Sequence, residues 1–212
     1  MANVFRIVAL AVLSIGASLL ADEPFGVTTV PAPNSAMAVT WERLQREMRA
    51  DERTVLACRT DPRCGSRAAL RFIAIVDEAK QYGGLARIGH INRSVNLAIQ
   101  TQRNGMGSWK APLDALSSPG DCKSYAVTKY AALGAVGIAP EDRRLVMVWD
   151  NARPTETHLI VVVRVEQRWL ILDNRSLIMI ESTRAPAYQP LLTLDHSGAR
   201  NFPALPPVGG PL

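Results

Sequence analysis

The chain reads as an α+β domain on three observations. Helical apolar spacing is confined to the segment before Gly137, β-branched and aromatic runs fill Arg144 to Leu194, and a Gly-Asp turn leads into an alanine-rich helix between them. Helices first and an antiparallel sheet after them is the expected order, with a cysteine at the N-terminus of the last helix.

The elements follow in chain order. Met1 to Arg6 is a short basic start, Ile7 to Leu20 is apolar and uncharged, and Asp22-Glu23-Pro24 ends it, which is the pattern of a secretory signal over residues 1–21. Ala21 suits the cut although Leu19 does not; a cut after Ser18, with Gly16, satisfies the small-residue pattern. The run is shorter than the ~20 apolar residues a spanning helix needs, so no stable anchor is expected after processing. Residues 22–37, rich in Pro, Thr and Ala, read as a flexible lead.

One domain is expected over residues 38–200, since about 190 residues without the signal suffice for a single core. Trp41, Leu44, Met48 and Val55 mark a first helix, Leu70, Ile73 and Val76 a second, and Leu85, Ile88, Val95 and Ile99 a third. Gly120 and Asp121 then supply a turn and an N-cap, and Tyr125, Ala126, Tyr130 and Leu133 recur with helical spacing up to Gly134 and Gly137. Strands are expected at Arg144 to Trp149, His158 to Val165, Arg168 to Asp173, Leu177 to Ile180 and Leu191 to Leu194. Residues 201–212, with four prolines and Gly209-Gly210, read as an irregular tail.

Cys58 and Cys64 enclose Arg-Thr-Asp-Pro-Arg, a polar turn whose closure by a disulfide suits an oxidising compartment. A reduced pair and a metal-binding pair are the alternatives, the second lacking any nearby Cys or His to complete a zinc site. Cys122 is then the odd thiol. The formal charge of +5 is spread over solvated faces. No phosphate loop, metal-ligand cluster or nucleotide fingerprint is present, and no nucleic-acid partner is expected.

Cys122 falls in the first turn of its helix, where open backbone N–H groups and the positive dipole end favour a thiolate. His158 and Asp173 lie on the strand pair that follows. With the two-residue loop Glu166-Gln167, Val165 faces Arg168 and Ile160 faces Asp173, so His158 and Asp173 become diagonal neighbours on one sheet face. Glu-Gln is not a favoured hairpin turn; a loop that widens symmetrically keeps the same register. Nucleophile, base and orienting acid are thereby available for acyl transfer. His90 and His196 read as surface or satisfied structural histidines, and Trp109 as a packing anchor.

Trp109-Lys-Ala-Pro112-Leu-Asp114, Gly120-Asp121-Cys122, Tyr125-Ala126, Lys129-Tyr130, Gly137, His158 and Leu172-Asp173-Asn174 form an ordered set, with Val95-Asn96 upstream. In this the chain resembles the bacterial transglutaminase-like cysteine proteinase family, which includes periplasmic proteases of the LapG type. The resemblance implies a papain- or transglutaminase-like core and the triad Cys122, His158 and Asp173. It also implies a periplasmic or secreted location and a protein substrate at the cell surface or envelope. LapG-type enzymes carry calcium through acids flanking the cysteine; here Lys123 and Ser124 follow it, so no cofactor is predicted. The expected activity is a thiol peptidase. A transglutaminase or amidase using the same triad, and a non-catalytic periplasmic binding module, are the alternative readings.

Overall fold

The structure is a computed structural model, and it describes residues 23–102, 108–153 and 156–203. Ser35 opens the first helix, its hydroxyl accepting from the N–H of Ala38. Helix α1 (Ala36–Thr60) then buries Trp41, Leu44 and Met48 on one side. Ser66 caps α2 (Arg67–Ala79) in the same way through Ala69. Its inner face is Ala68, Ala69, Phe72, Ile75, Val76 and Ala79, whereas Leu70, expected inside, is 45% exposed. The cause is that two alanines take the close approach, turning the stripe by a residue. Helix α3 (Gly84–Ala98) buries Ile88, Ile91, Asn92 and Val95. The short α4 (Pro112–Ala115) precedes α5 (Cys122–Ala135), which is buried without a break from Ser124 to Tyr130. Cys58, in the last turn of α1, is joined by a disulfide to Cys64, with Cα atoms 5.1 Å apart.

Among the described residues the strands are β1 (Val30–Pro31), β2 (Arg143–Asp150), β3 (Thr157–Val165), β4 (Arg168–Leu172), β5 (Ile180–Glu181), β6 (Tyr188–Asp195) and β7 (Gly198–Asn201). They form one antiparallel sheet in the order β1-β7-β6-β2-β3-β4-β5. The β3–β4 hairpin closes with Glu166-Gln167 alone, both residues taking positive φ, 49° and 64°. The register is Val165 on Arg168 and Val161 on Leu172, which puts Ile160 opposite the position of Asp173. Pro190 sits inside β6 without an N–H to give; the ladder to β2 slips by one residue there, between Met147 and Val148. Helix α5 packs across β3 and β2.

The sheet is covered on both sides. One face carries Leu145, Leu159, Val161, Val163, Leu172 and Leu194 against the helices. The other carries Val146, Val148, Ile160, Val162, Trp169 and Ile171, and Phe25, Val27, Tyr188 and Phe202 close over it. Each fully buried Val, Ile or Leu contributes about 1.5–3 kcal/mol, so an uncovered second face would be costly. This corrects the expectation for residues 22–37: Pro24 is buried, Glu23 pairs with Arg144, Phe25 meets Phe202 edge to face, and Val30–Pro31 adds a strand beside β7. Two further differences concern ends. The strand expected at Leu177 to Ile180 is confined to Ile180–Glu181, because Ser176 and Leu177 instead give their carbonyls to Asn92. Asn201, expected in the tail, ends β7, and Phe202 after it is buried. The signal expected over residues 1–21, and residues 204–212 of the tail, lie outside the described residues. No described helix is long and apolar enough to cross a membrane.

Candidate active site

Gly120 sets the start of α5. Its N–H donates to the carbonyl of Gln100 at 2.9 Å and its carbonyl accepts from Gln102 at 2.9 Å, tying the turn to the segment after α3. A Cβ at this position would stand 2.6 Å from Ser124 Oγ and 3.2 Å from a methyl of Ile99, so only glycine fits. Asp121 is the N-cap, its carboxylate accepting from the N–H of Lys123 at 3.0 Å. Cys122 is therefore the first helical residue, in the turn whose N–H groups have no helical partner. It is the free cysteine and is only partly buried.

The N-terminal end of α5 meets the start of β3, where His158 stands with 1% exposure. Its Nε2 is 2.8 Å from Asp173 Oδ1, and its Nδ1 has no hydrogen-bond partner among the described residues. Asp173 is held from three further sides. Arg175 donates its backbone N–H to Oδ1 at 2.9 Å, the Tyr188 hydroxyl donates to Oδ2, and Asn96 Nδ2 donates to the Asp173 carbonyl at 3.0 Å.

The electrostatics match this geometry. Burial pushes the Cys122 thiol up, but the neighbouring His158 imidazole, its charge and the Leu159 backbone together bring its pKa below the ordinary 9.0. Burial would lower the His158 pKa, and Asp173 and Cys122 outweigh it, holding the imidazole's proton more tightly than usual. Burial also works against the charge of Asp173, yet His158, Tyr188 and the Arg175 N–H keep its carboxyl far below the usual carboxylate range. A thiol, an imidazole and an ionised carboxylate therefore lie close enough to act on one another's charge.

A profile of the bacterial transglutaminase-like cysteine proteinases matches residues 53–191. The chain belongs to that family. The proteinase is thus a cysteine peptidase of the transglutaminase-like superfamily, acting on protein substrates. Its fold is similar to that of LapG from Legionella pneumophila at 18% identity, with a TM-score of 0.58 over 71% of this chain and 87% of that one. The calcium-bound form of that protein gives a TM-score of 0.56 over 76% and 87% of the two chains, and the EGTA-treated form 0.59 over 73% and 86%. No curated protein sequence matches the chain.

The residues beside the nucleophile do not fit calcium. A Ca²⁺ ion takes six to eight oxygen ligands. Here one oxygen of Asp121 is committed to the Lys123 N–H and the other to the Lys123 ammonium, both side chains being largely buried. No group of three or more His, Cys, Asp or Glu side chains suited to a metal occurs among the described residues. Lys123 pairs with Asp121, whose charge raises the Cys122 pKa.

The sequence-predicted trio is brought together, and the remaining candidates are not part of it. His90 lies 3.0 Å from Ser94 and stacks on Tyr82, and His196 lies in the β6–β7 connection. Trp109 packs against the core. Sequence reasoning missed Tyr188 and Arg175 and gave Asn96 no role. Only Asn96 had a signal, the Val-Asn pair upstream; Tyr188 reaches Asp173 solely through the β2–β6 register, which sets it against Asp150.

Proposed function

We propose that the chain is an exported thiol peptidase that cleaves envelope or cell-surface proteins through a Cys122-His158-Asp173 acyl-enzyme. What supports this is that Asp173 holds His158 Nε2 at 2.8 Å while Cys122 feels the same imidazole, the cysteine being partly exposed and the imidazole and carboxylate buried. The thiol proton passes to His158 Nδ1, and the sulfur attacks the scissile carbonyl carbon. The N–H of Cys122, in the open first turn of α5, stabilises the oxyanion. His158 then gives its proton to the departing amine, and water, deprotonated by the same nitrogen, releases the acyl group and restores the thiol. Asp173 keeps the proton on Nε2 and supports the imidazolium.

The reading requires Cys122 to be alkylated by iodoacetamide faster than a model thiol, and Cys122→Ala to abolish cleavage of an unstructured protein substrate. Equal alkylation rates, or an active Cys122→Ala protein, would sink it. Incorporation of a fluorescent amine in place of cleavage would make the same triad a transglutaminase. Export accords with the basic-then-apolar start and with the Cys58–Cys64 bridge. The commitment of both Asp121 oxygens supports catalysis without calcium. Activity is expected to be unchanged in EGTA, and calorimetry with CaCl₂ is expected to give no binding heat.

A further inference from the structure

Helix α5 is a buried, largely apolar helix, yet two turns beyond Cys122 it carries Lys129. This side chain has no exposure, and its Nζ has no hydrogen-bond partner. An ammonium without water or partner is among the costliest groups a core can hold, and a lysine stem ordinarily carries it out to solvent. Burial pushes the Lys129 pKa down to about 7, and the charge of Asp173 opposes that fall.

The charged and titratable groups around it are few. Asp173, at the end of β4, acts on it directly; His158 of β3 and Tyr188 of β6 stand behind that carboxylate, each bonded to it. Helix α3 brings the uncharged Asn92 and Asn96, the latter bound to the Asp173 carbonyl. Among the described residues, Asp173 is the charge that acts most on Lys129.

We propose that Lys129 is a positioning residue of the peptidase: its amine, enclosed without a partner on the helix that starts at Cys122, acts by its charge on the Asp173 carboxylate that holds His158, and so sets the pH range in which Cys122 is reactive. The proposal rests on the Cys122-His158-Asp173 reading above. While the amine is protonated, it draws on the carboxylate that His158 needs. When the proton leaves, Asp173 acts on the imidazole alone, the imidazolium is better held, and the thiolate paired with it becomes more populated.

The test is the pH profile of Cys122 alkylation by iodoacetamide in the wild type and in Lys129→Met, a substitution of similar length. The wild type should show a rise with a midpoint near neutrality that the variant lacks. The variant should react about 3–10 times faster at pH 6 and equally at pH 9. Superimposable profiles with a reactive thiol overturn the Lys129 proposal alone; a thiol no faster than a model compound in either protein overturns the peptidase reading along with it. Should the variant fail to fold, carbon NMR of the unmutated protein labelled at lysine Cε decides. One lysine titrating near neutrality is expected, and none titrating below about pH 9 overturns the proposal.

Discussion

Tyr188 holds the oxygen of Asp173 that His158 leaves open, and its ring lies 6.2 Å from the imidazole, so one side chain steadies both partners of the nucleophile. A hydrogen bond to an ionised carboxylate is worth about 1.5–3 kcal/mol. Tyr188→Phe keeps the ring and loses that bond, and kcat is expected to fall about 10–100-fold with KM little changed. Steady-state kinetics on a peptide would read this, and a variant with wild-type kcat would detach Tyr188 from the triad. Of the site, His158 and Asp173 were legible because the strand period is two and a short hairpin fixes which residues share a face. Cys122 was legible from its Gly-Asp turn. Tyr188 was not, because nothing in its own neighbourhood records which strand β6 will join. Lys129 did leave a mark, as a cation in the middle of an apolar helix, but burial alone separates it from a lysine that reaches solvent.

The elements that deliver these side chains are two. The β3–β4 hairpin aligns His158 with Asp173, and it does so through Glu166 and Gln167, both in the left-handed region that side chains with a Cβ disfavour. The sheet register, buried on both faces, overrides the local preference. Replacing the pair by Asn-Gly, which suits this turn, is therefore expected to stabilise the protein by about 1–2 kcal/mol in urea melts while leaving activity as it was. Loss of stability would mean that the Glu166 and Gln167 side chains, one of them 3.3 Å from Arg168, matter more than the backbone. The second element is α5, whose entry is set by Gly120. Gly120→Ala would drive a methyl into Ser124 and Ile99 and displace the first turn. At least a tenfold loss of kcat/KM is expected, with the far-ultraviolet CD spectrum unchanged. An active variant would show that the turn yields. Periodicity exposed these long elements. It missed β1 and β7, which are two and four residues long and are specified by what they cover rather than by their own pattern.

At the scale of the whole molecule, a sheet covered on both faces encloses ionisable groups that solvent scarcely reaches, so stability must follow pH. His158 binds its proton more tightly in the folded chain than at its ordinary 6.5. Its contribution is complete below 6.5 and fades as the pH rises through the raised value. Asp173 acts at the other limit, contributing above its ordinary 3.8 and losing that contribution only in strong acid. Lys129 runs opposite to His158. Its pKa falls from 10.5 to about 7 on folding, so between those values the unfolded chain binds the extra proton and stability rises with pH. The penalty of the buried charge is full below about 7 and gone above 10.5. Replacing buried ionic groups by apolar side chains of similar volume is often stabilising by about 1–4 kcal/mol. Lys129→Met is accordingly expected to exceed the wild type in stability by that amount at pH 6, the difference closing toward pH 10. Urea melts at pH 6, 8 and 10 would show it. A variant less stable than the wild type at pH 6 would mean that Asp173 returns more to the ammonium than burial takes away, and the lysine would then be a structural partner of the carboxylate rather than a group tolerated for the chemistry beside it.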